Sequence, residues 1–357
     1  MTAPLRVYDR ARVLVFGHTG FVGGWLALWL HRLGAEVHGF ALPPEDDPNL
    51  FDALDLGKHV AHRCADVRDR QAVVETLRSV RPDVVFHLAA QSRVRRSYRS
   101  PIETFETNVM GTAHVLEALR AAPGARACVV VTSDKCYENL EQEDGYRESD
   151  RLGGGDAYSV SKACAELVVS CYRKAFLDRC DPPVLVASAR AGNIIGGGDW
   201  AEDRIVPDCV RALTSNQTLR LRNPQAVRPW QHVLDAAFGY LLLGAHLLEG
   251  RQDCAEAWNF GPGASDPKTV AALVARFLGG WSEGASPAVE VAADGPAETG
   301  QLRLDSSKAR ERLGWQPRLA FDDAVAWTAQ WYRGFYRDPS TALDTTNAQI
   351  ALFEERL

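Results

Sequence analysis

Apolar positions in the first half of this chain follow two alternating rhythms. Short runs rich in Val, Leu and Ala occur at Arg12–Gly17, Glu36–Leu42, Val60–Asp66, Asp83–Ala89, Ala127–Ser133 and Val184–Ser188. Such runs read as buried strands. Most are separated by stretches with apolar residues at three- and four-residue spacing: Phe21–Leu33, Arg70–Val80, Ile102–Ala121 and Ala157–Leu177. These read as helices. Buried, β-branched strands joined by helices predict an α/β fold, a doubly wound parallel sheet covered on both faces.

After Ile195 the alternation loosens. Gly196-Gly-Gly198 leads to a helical stretch at Ile205–Leu213, and shorter elements follow. The change predicts a smaller C-terminal α/β substrate lobe over 196–340, after a dinucleotide-binding domain over 1–195. Asp235–Leu248 and Trp258–Gly261 are expected to return to the sheet, completing it from about 228–261. Residues 341–357 read as a loosely held tail. The stretch Ala157–Leu177 is apolar on more than one side, at Val160, Cys164, Leu167, Val168, Cys171, Tyr172 and Phe176. One face meets the sheet, and the other predicts a partner subunit, hence a homodimer or a dimer of dimers.

Gly17-His-Thr-Gly20-Phe-Val-Gly23 follows the first strand and opens the first helix. Glycines there permit a tight turn and close backbone approach to a pyrophosphate, with the helix N-terminus facing the anion. In this placement the loop makes the sheet Rossmann-type. Gly17, Thr19, Gly20, Phe21, Val22 and Gly23 are its expected cofactor residues. The second strand ends Phe40-Ala41-Leu42 without the usual acid, so it does not choose between NAD and NADP. Asp66-Val67 suits an adenine contact, although an acid there also suits a helix cap. Leu88-Ala89-Ala90-Gln91 offers small residues against which a cofactor can lie.

Composition narrows the field. Hydrophobic content of 46%, charged content of 24% and a net charge of −6 fit a soluble globular protein. They point away from nucleic acid and anionic membranes as partners. A phosphate-bearing ligand then requires local gathering of Arg. The longest apolar stretch, Ala236–Leu248, is interrupted by Gly239, Gly244 and His246. Neither a membrane span nor a signal peptide is expected, and the expected location is cytoplasmic. Eight Cys lack metal-ligand spacing, which predicts buried reduced thiols and no bound metal.

Two segments hold the candidate chemistry. Thr132-Ser-Asp-Lys-Cys-Tyr137 runs off the end of an apolar strand, and Tyr158-Ser-Val-Ser-Lys162 opens a helix. Tyr and Lys four apart share a helical face. Only six of the 40 basic residues are Lys, and two of the six, Lys135 and Lys162, fall here. Lys can be tuned to gain and lose a proton, whereas Arg cannot. Chance yields about 0.15 Tyr-x-x-x-Lys matches at this composition, so position in the chain gives the pentad its weight. Alone, Asp134 also reads as a loop cap, Lys135 as a surface charge and Thr132 as a strand-end hydrogen-bonding group. Cys136 and His232 read as packing residues.

Several stretches together resemble the extended short-chain dehydrogenase/reductase family of nucleotide-sugar enzymes: Gly17–Leu26, His87–Gln91, Thr107–Thr112, Thr132–Tyr137, Arg190–Trp200, Leu221–Pro224 and Val227–Val233. The resemblance spans about Arg12 to Tyr332. The Asp134-Lys135 pair narrows it to nucleotide-glucose 4,6-dehydratases, with CDP-glucose the first implied substrate. It implies NAD as cofactor, with Asn108, Tyr158 and Lys162 added to the cofactor residues. Ser133, Asn193, Arg204, Arg222 and Arg228 are the implied substrate contacts, arginines suiting a diphosphate.

The implied reaction begins with Tyr158, assisted by Lys162, removing the proton from the sugar hydroxyl at carbon 4 as hydride passes to NAD. Thr132 polarises that oxygen. Asp134 as acid and Lys135 as base then expel water across carbons 5 and 6, and hydride returns to carbon 6. The resemblance thus implies a lyase. Three positions depart from the family pattern: Ser92-Arg93, Ala157 and Pro296-Ala-Glu298. An epimerase or reductase on the same fold, and a non-catalytic nucleotide sensor or scaffold, are the other readings of the sequence.

Overall fold

The structure, a computed structural model, describes residues 3–121, 124–263, 268–281, 287–292 and 300–357. Seven strands make one parallel sheet: β1 (Arg12–Phe16), β2 (Glu36–Ala41), β3 (Ala61–Cys64), β4 (Val84–His87), β5 (Ala127–Val131), β6 (Leu185–Ala191) and β7 (Ala257–Phe260). Their order is β7-β6-β5-β4-β1-β2-β3. The order reverses beside β1, whose Phe16 pairs with Phe40 of β2 on one side and His87 of β4 on the other. At such a switch point the flanking loops part and leave a crevice at the carboxyl ends of the strands.

Alternate strand residues enter two separate cores, as a period of two requires. Val13, Val15, Val84, Phe86 and Val129 pack on one side with helix α1 (Phe21–Arg32). Leu14, Phe16, Val85, Cys128 and Val130 face the other. There they meet α2 (Arg70–Val80), α3 (Gly111–Ala121) and α4 (Ala157–Ala175). Asp69 caps α2 by accepting from the backbone N–H of Gln71 and Ala72, so the cap is not Asp66.

Strand β6 runs further than its apolar run, because Ala189, Arg190 and Ala191 pair with Trp258, Asn259 and Phe260 of β7. Helix α5 (Val233–Leu248) and β7 do return to the sheet. The stretch Ile102–Ala121 is not one helix. A short helix, Pro101–Phe105, passes through a wide π turn at Glu106–Met110 into α3. That turn brings Asn108 under the β4 end, where it bonds the Gln91 backbone.

The expectation of a loose C-terminal tail fails. Ala342–Glu354 is a helix, and Ile350 and Phe353 are fully buried. Its Phe353 meets Trp29 of α1 edge-on at 5.6 Å, and Glu354 accepts from Trp29 Nε1 at 2.8 Å. Apolar residues at helical spacing, Ile350 and Phe353, outweigh the polar composition of this segment. No helix is long and apolar enough to cross a membrane among the described residues. All eight Cys are free; Cys128, Cys136, Cys209 and Cys254 are buried as expected, whereas Cys64 and Cys171 are exposed.

Candidate active site

A cavity of about 990 Å³ opens along the carboxyl ends of the strands. The loop Gly17–Gly23 forms one end. Gly17 turns with φ +90°, and its N–H donates to Phe40 O at 2.9 Å. A Cβ on Gly17 would sit 2.7 Å from Ala89 N, and one on Gly23 would sit 2.1 Å from Gly17 O. Only glycine fits either position. The α1 N-cap, Gly20, has no side-chain cap. The first amides of a twelve-residue helix therefore face the cavity without a side-chain acceptor, a preformed anion site. Thr19 Oγ1 donates to Leu42 O at 2.9 Å and closes the loop onto the β2 end. Phe21, Val22, Asp66, Val67, Leu88, Ala89, Ala90 and Gln91 line the same end. The residues present fit a dinucleotide.

Asn108 is a correction. It does not line the cavity; its side chain bonds the Gln91 backbone at 2.8 and 3.0 Å and donates to Ser161 Oγ at 2.8 Å. It fixes the β4 loop against α4 from below.

Tyr158 and Lys162 project from the first turns of α4, whose N-cap Asp156 accepts from Ser159 N at 2.9 Å. Both are buried and line the cavity. Lys162 Nζ donates to Val131 O at 3.4 Å. Opposite them, Ser133, Asp134 and Lys135 form a tight turn leaving β5. Asp134 Oδ1 accepts from Ser133 Oγ at 2.9 Å, and its Oδ2 is buried with no partner. Burial pushes the Tyr158 hydroxyl up to about 12, with Asp134 adding to the rise; a hydrogen bond with Ser133 and the charge of Arg204 pull the other way. Burial brings the Lys162 ammonium down to about 8 against the upward pull of Glu166.

Thr132 does not take the place expected of it. It lines the cavity, but its hydroxyl is turned to the buried Glu166 of α4, to which it donates. Thr132 N still bonds Ala189 O at 2.9 Å, which keeps the residue in the sheet. The next residue then faces the other way, and Ser133 meets Tyr158.

At the far end lie Asn193, Arg204, Arg222 and Arg228. Asn193 Oδ1 is buried without a partner. Arg204 is held by Asp199 at 2.9 Å and by Ser92 Oγ at 3.0 Å, so the departure at Ser92 serves to orient it. Arg222 and Arg95 share one carboxylate, Asp203, at 3.1 and 3.6 Å. Arg93, the other half of that departure, instead binds Asp46 at 2.7 Å in the loop after β2. Ala157 is merely the first residue of α4, and Pro296-Ala-Glu298 lies outside the described residues.

Sequence reasoning missed Tyr240 of α5. It is fully buried, lines the cavity and has an unpartnered hydroxyl. A tyrosine inside a mostly apolar helix gives no signal of this in the sequence. His232 packs as expected between Trp25 and Trp327, and its Nδ1 accepts from Leu234 N at 3.2 Å. Cys136 is wholly buried, and burial pushes its thiol up.

A family model described as GDP-mannose 4,6 dehydratase matches residues 14–328. The chain belongs to that family. It is 44% identical over 329 residues to the CDP-glucose 4,6-dehydratase of Salmonella typhimurium, covering 91% of each chain. A dTDP-glucose 4,6-dehydratase of Xanthomonas campestris pv. campestris is 28% identical, with 89% of this chain and 92% of that protein covered. Among solved structures, a dTDP-glucose 4,6-dehydratase from Streptomyces venezuelae with NAD and TYD bound superposes with a TM-score of 0.77 at 27% identity. That match covers 90% of this chain and 97% of the other.

Proposed function

We propose that the chain is an NAD-dependent hydro-lyase that converts CDP-glucose to CDP-4-dehydro-6-deoxy-glucose and water. The observation that carries this is the meeting of Tyr158 and Lys162 with Ser133, Asp134 and Lys135 in the cavity whose end is the glycine loop. The relatedness to a CDP-glucose 4,6-dehydratase supports the choice of nucleotide.

When bound, NAD supplies a hydride acceptor at carbon 4 of the sugar and a hydride donor at carbon 6. Gly17, Gly20 and Gly23 bring backbone against its pyrophosphate, and the open amides of α1 face the charge. Tyr158 removes the proton from the carbon 4 hydroxyl. Lys162, held by Val131 O, keeps positive charge beside the forming tyrosinate. Ser133, in the place first expected of Thr132, orients the carbon 4 oxygen. The ketone formed there acidifies the carbon 5 proton. Lys135, half-buried on the cavity wall, takes that proton. Asp134 protonates the departing carbon 6 hydroxyl through Oδ2, the oxygen with no partner in the protein. An epimerase needs neither of these last two groups. Arg222 and Arg228 with Asn193 receive the diphosphate end, and Arg204 is oriented toward Tyr158. The enzyme works as a homodimer or dimer of dimers in the cytoplasm, as its free thiols suit.

The test incubates purified protein and NAD with CDP-, dTDP-, UDP- and GDP-glucose and reads loss of water by mass. Loss is expected first with CDP-glucose. Lys135→Ala is expected to oxidise carbon 4 but lose water about 100- to 10,000-fold more slowly, so NADH absorbance accumulates. No water loss from any of the four sugars would contradict the reading.

A further inference from the structure

Behind the cavity lies a buried ion pair that the reaction as derived does not use. Glu166 and Arg190 are only 4% and 3% exposed and meet at 2.8 Å. Glu166 is on α4, four residues after Lys162 and eight after Tyr158, so all three share one helical face. Its Oε1 accepts from Thr132 Oγ1, the residue next to Ser133. Its Oε2 accepts from Ser188 Oγ at 2.7 Å and from Arg190 Nη2 at 2.8 Å. Arg190 Nη1 donates in turn to Tyr137 OH at 2.8 Å, at the far end of the Ser133–Tyr137 turn.

One carboxylate thus touches both halves of the site. Burying a charge pair is costly unless the geometry is good and the remaining lone pairs are bonded. Here both carboxylate oxygens are bonded, and each partner reaches the segment that positions Ser133 and Asp134 once, Glu166 through Thr132 and Arg190 through Tyr137. We propose that Glu166 is a positioning residue for both steps: it fixes the β5 end through Thr132 and keeps Lys162 positively charged beneath Tyr158. The proposal rests on the roles given above to Tyr158 and Lys162.

Other groups also face Lys162. His87 comes from β4, Cys136 from the turn after β5, and Tyr158 from one turn earlier on its own helix. His87 is neutral over the working range, since burial and then the Lys162 charge bring it down to about 3. Cys136 is neutral as well, because burial raises its thiol. Among the groups acting on Lys162, the Glu166 charge is the main one opposing the effect of burial.

The sign follows. Without the carboxylate, Lys162 gives up its proton at lower pH, and the aid it gives to tyrosinate formation is lost there. In Glu166→Gln the alkaline limb of the kcat–pH profile is expected to move down by about one to three units. Glu166→Asp should keep the limb near the wild-type position, and Ser188→Ala, which removes a neutral bond only, should leave it in place. Glu166→Gln/Arg190→Met removes the pair together and guards against misfolding from an uncompensated Arg190; the same downward shift is expected. A uniform fall in kcat or a lower Tm, with the limb of both Gln variants unmoved, would reduce Glu166 to a structural ion pair and overturn the proposal. Lys162→Met separates the two failures: retained kcat there overturns the assigned role of Lys162 itself.

Discussion

At the scale of single residues, the site depends on which neighbour along a strand faces which way. Thr132 and Ser133 are adjacent hydroxyls, and composition gives no ground for choosing between them. The backbone bond from Thr132 N to Ala189 O decides, because it carries the strand alternation one residue past β5. Ser133→Ala is therefore expected to lower kcat about 100-fold, the usual cost of one hydrogen bond aimed at the reacting oxygen, with Tm unchanged. Thr132→Val should act differently. It leaves buried Glu166 short of a charge-assisted bond and should cost roughly 1.5–3 kcal/mol of stability, with Thr132→Ser restoring it. Thermal melts alongside steady-state kinetics check both. Should Ser133→Ala keep wild-type kcat while Thr132→Val loses it and Thr132→Ser restores it, the assignment is reversed. The Tyr158–Lys162 and Asp134–Lys135 pairs were legible in the sequence because spacing and strand ends announce them. Tyr240 was not, since a cavity wall belongs to no single element.

At the scale of elements, the strands and the first helices followed directly from apolar rhythm. What rhythm could not show was where a helix changes pitch. The π turn at Glu106–Met110 exists because Asn108 must bond Gln91, and Gly111 must pass close to Val67. Both causes lie outside the segment itself. The C-terminal helix gives no local sign for the same reason, its partner Trp29 being more than three hundred residues away. Rhythm also carries the case for assembly. Along α4, Val160, Cys164 and Val168 are half-buried, and Leu167 and Cys171 are exposed. Nearby Tyr98, Ile102 and Met110 are 51%, 68% and 51% exposed. An apolar stripe of this kind fits a second copy. Light scattering is expected to show at least a dimer, and Leu167→Glu should shift it toward monomer. A monomeric wild type would contradict this.

At the scale of the molecule, the switch in strand order beside β1 creates the crevice, and the glycine loop makes it fit a pyrophosphate. The C-terminal half closes it with Asn193, Arg204, Arg222 and Arg228. The order of strands and helices was readable from the chain. The shape of the cavity was not, because it is formed by residues from Gly17 to Leu302 that only folding brings together. The central claim is that one cavity oxidises carbon 4, expels water and reduces carbon 6 with the same hydride. The most direct measurement supplies CDP-glucose deuterated at carbon 4 to the wild-type protein with NAD and locates the label by mass and NMR. The account predicts a product that has lost one water and carries the deuterium on carbon 6. Deuterium retained at carbon 4, or lost to the NAD pool or to solvent while product forms, would contradict it.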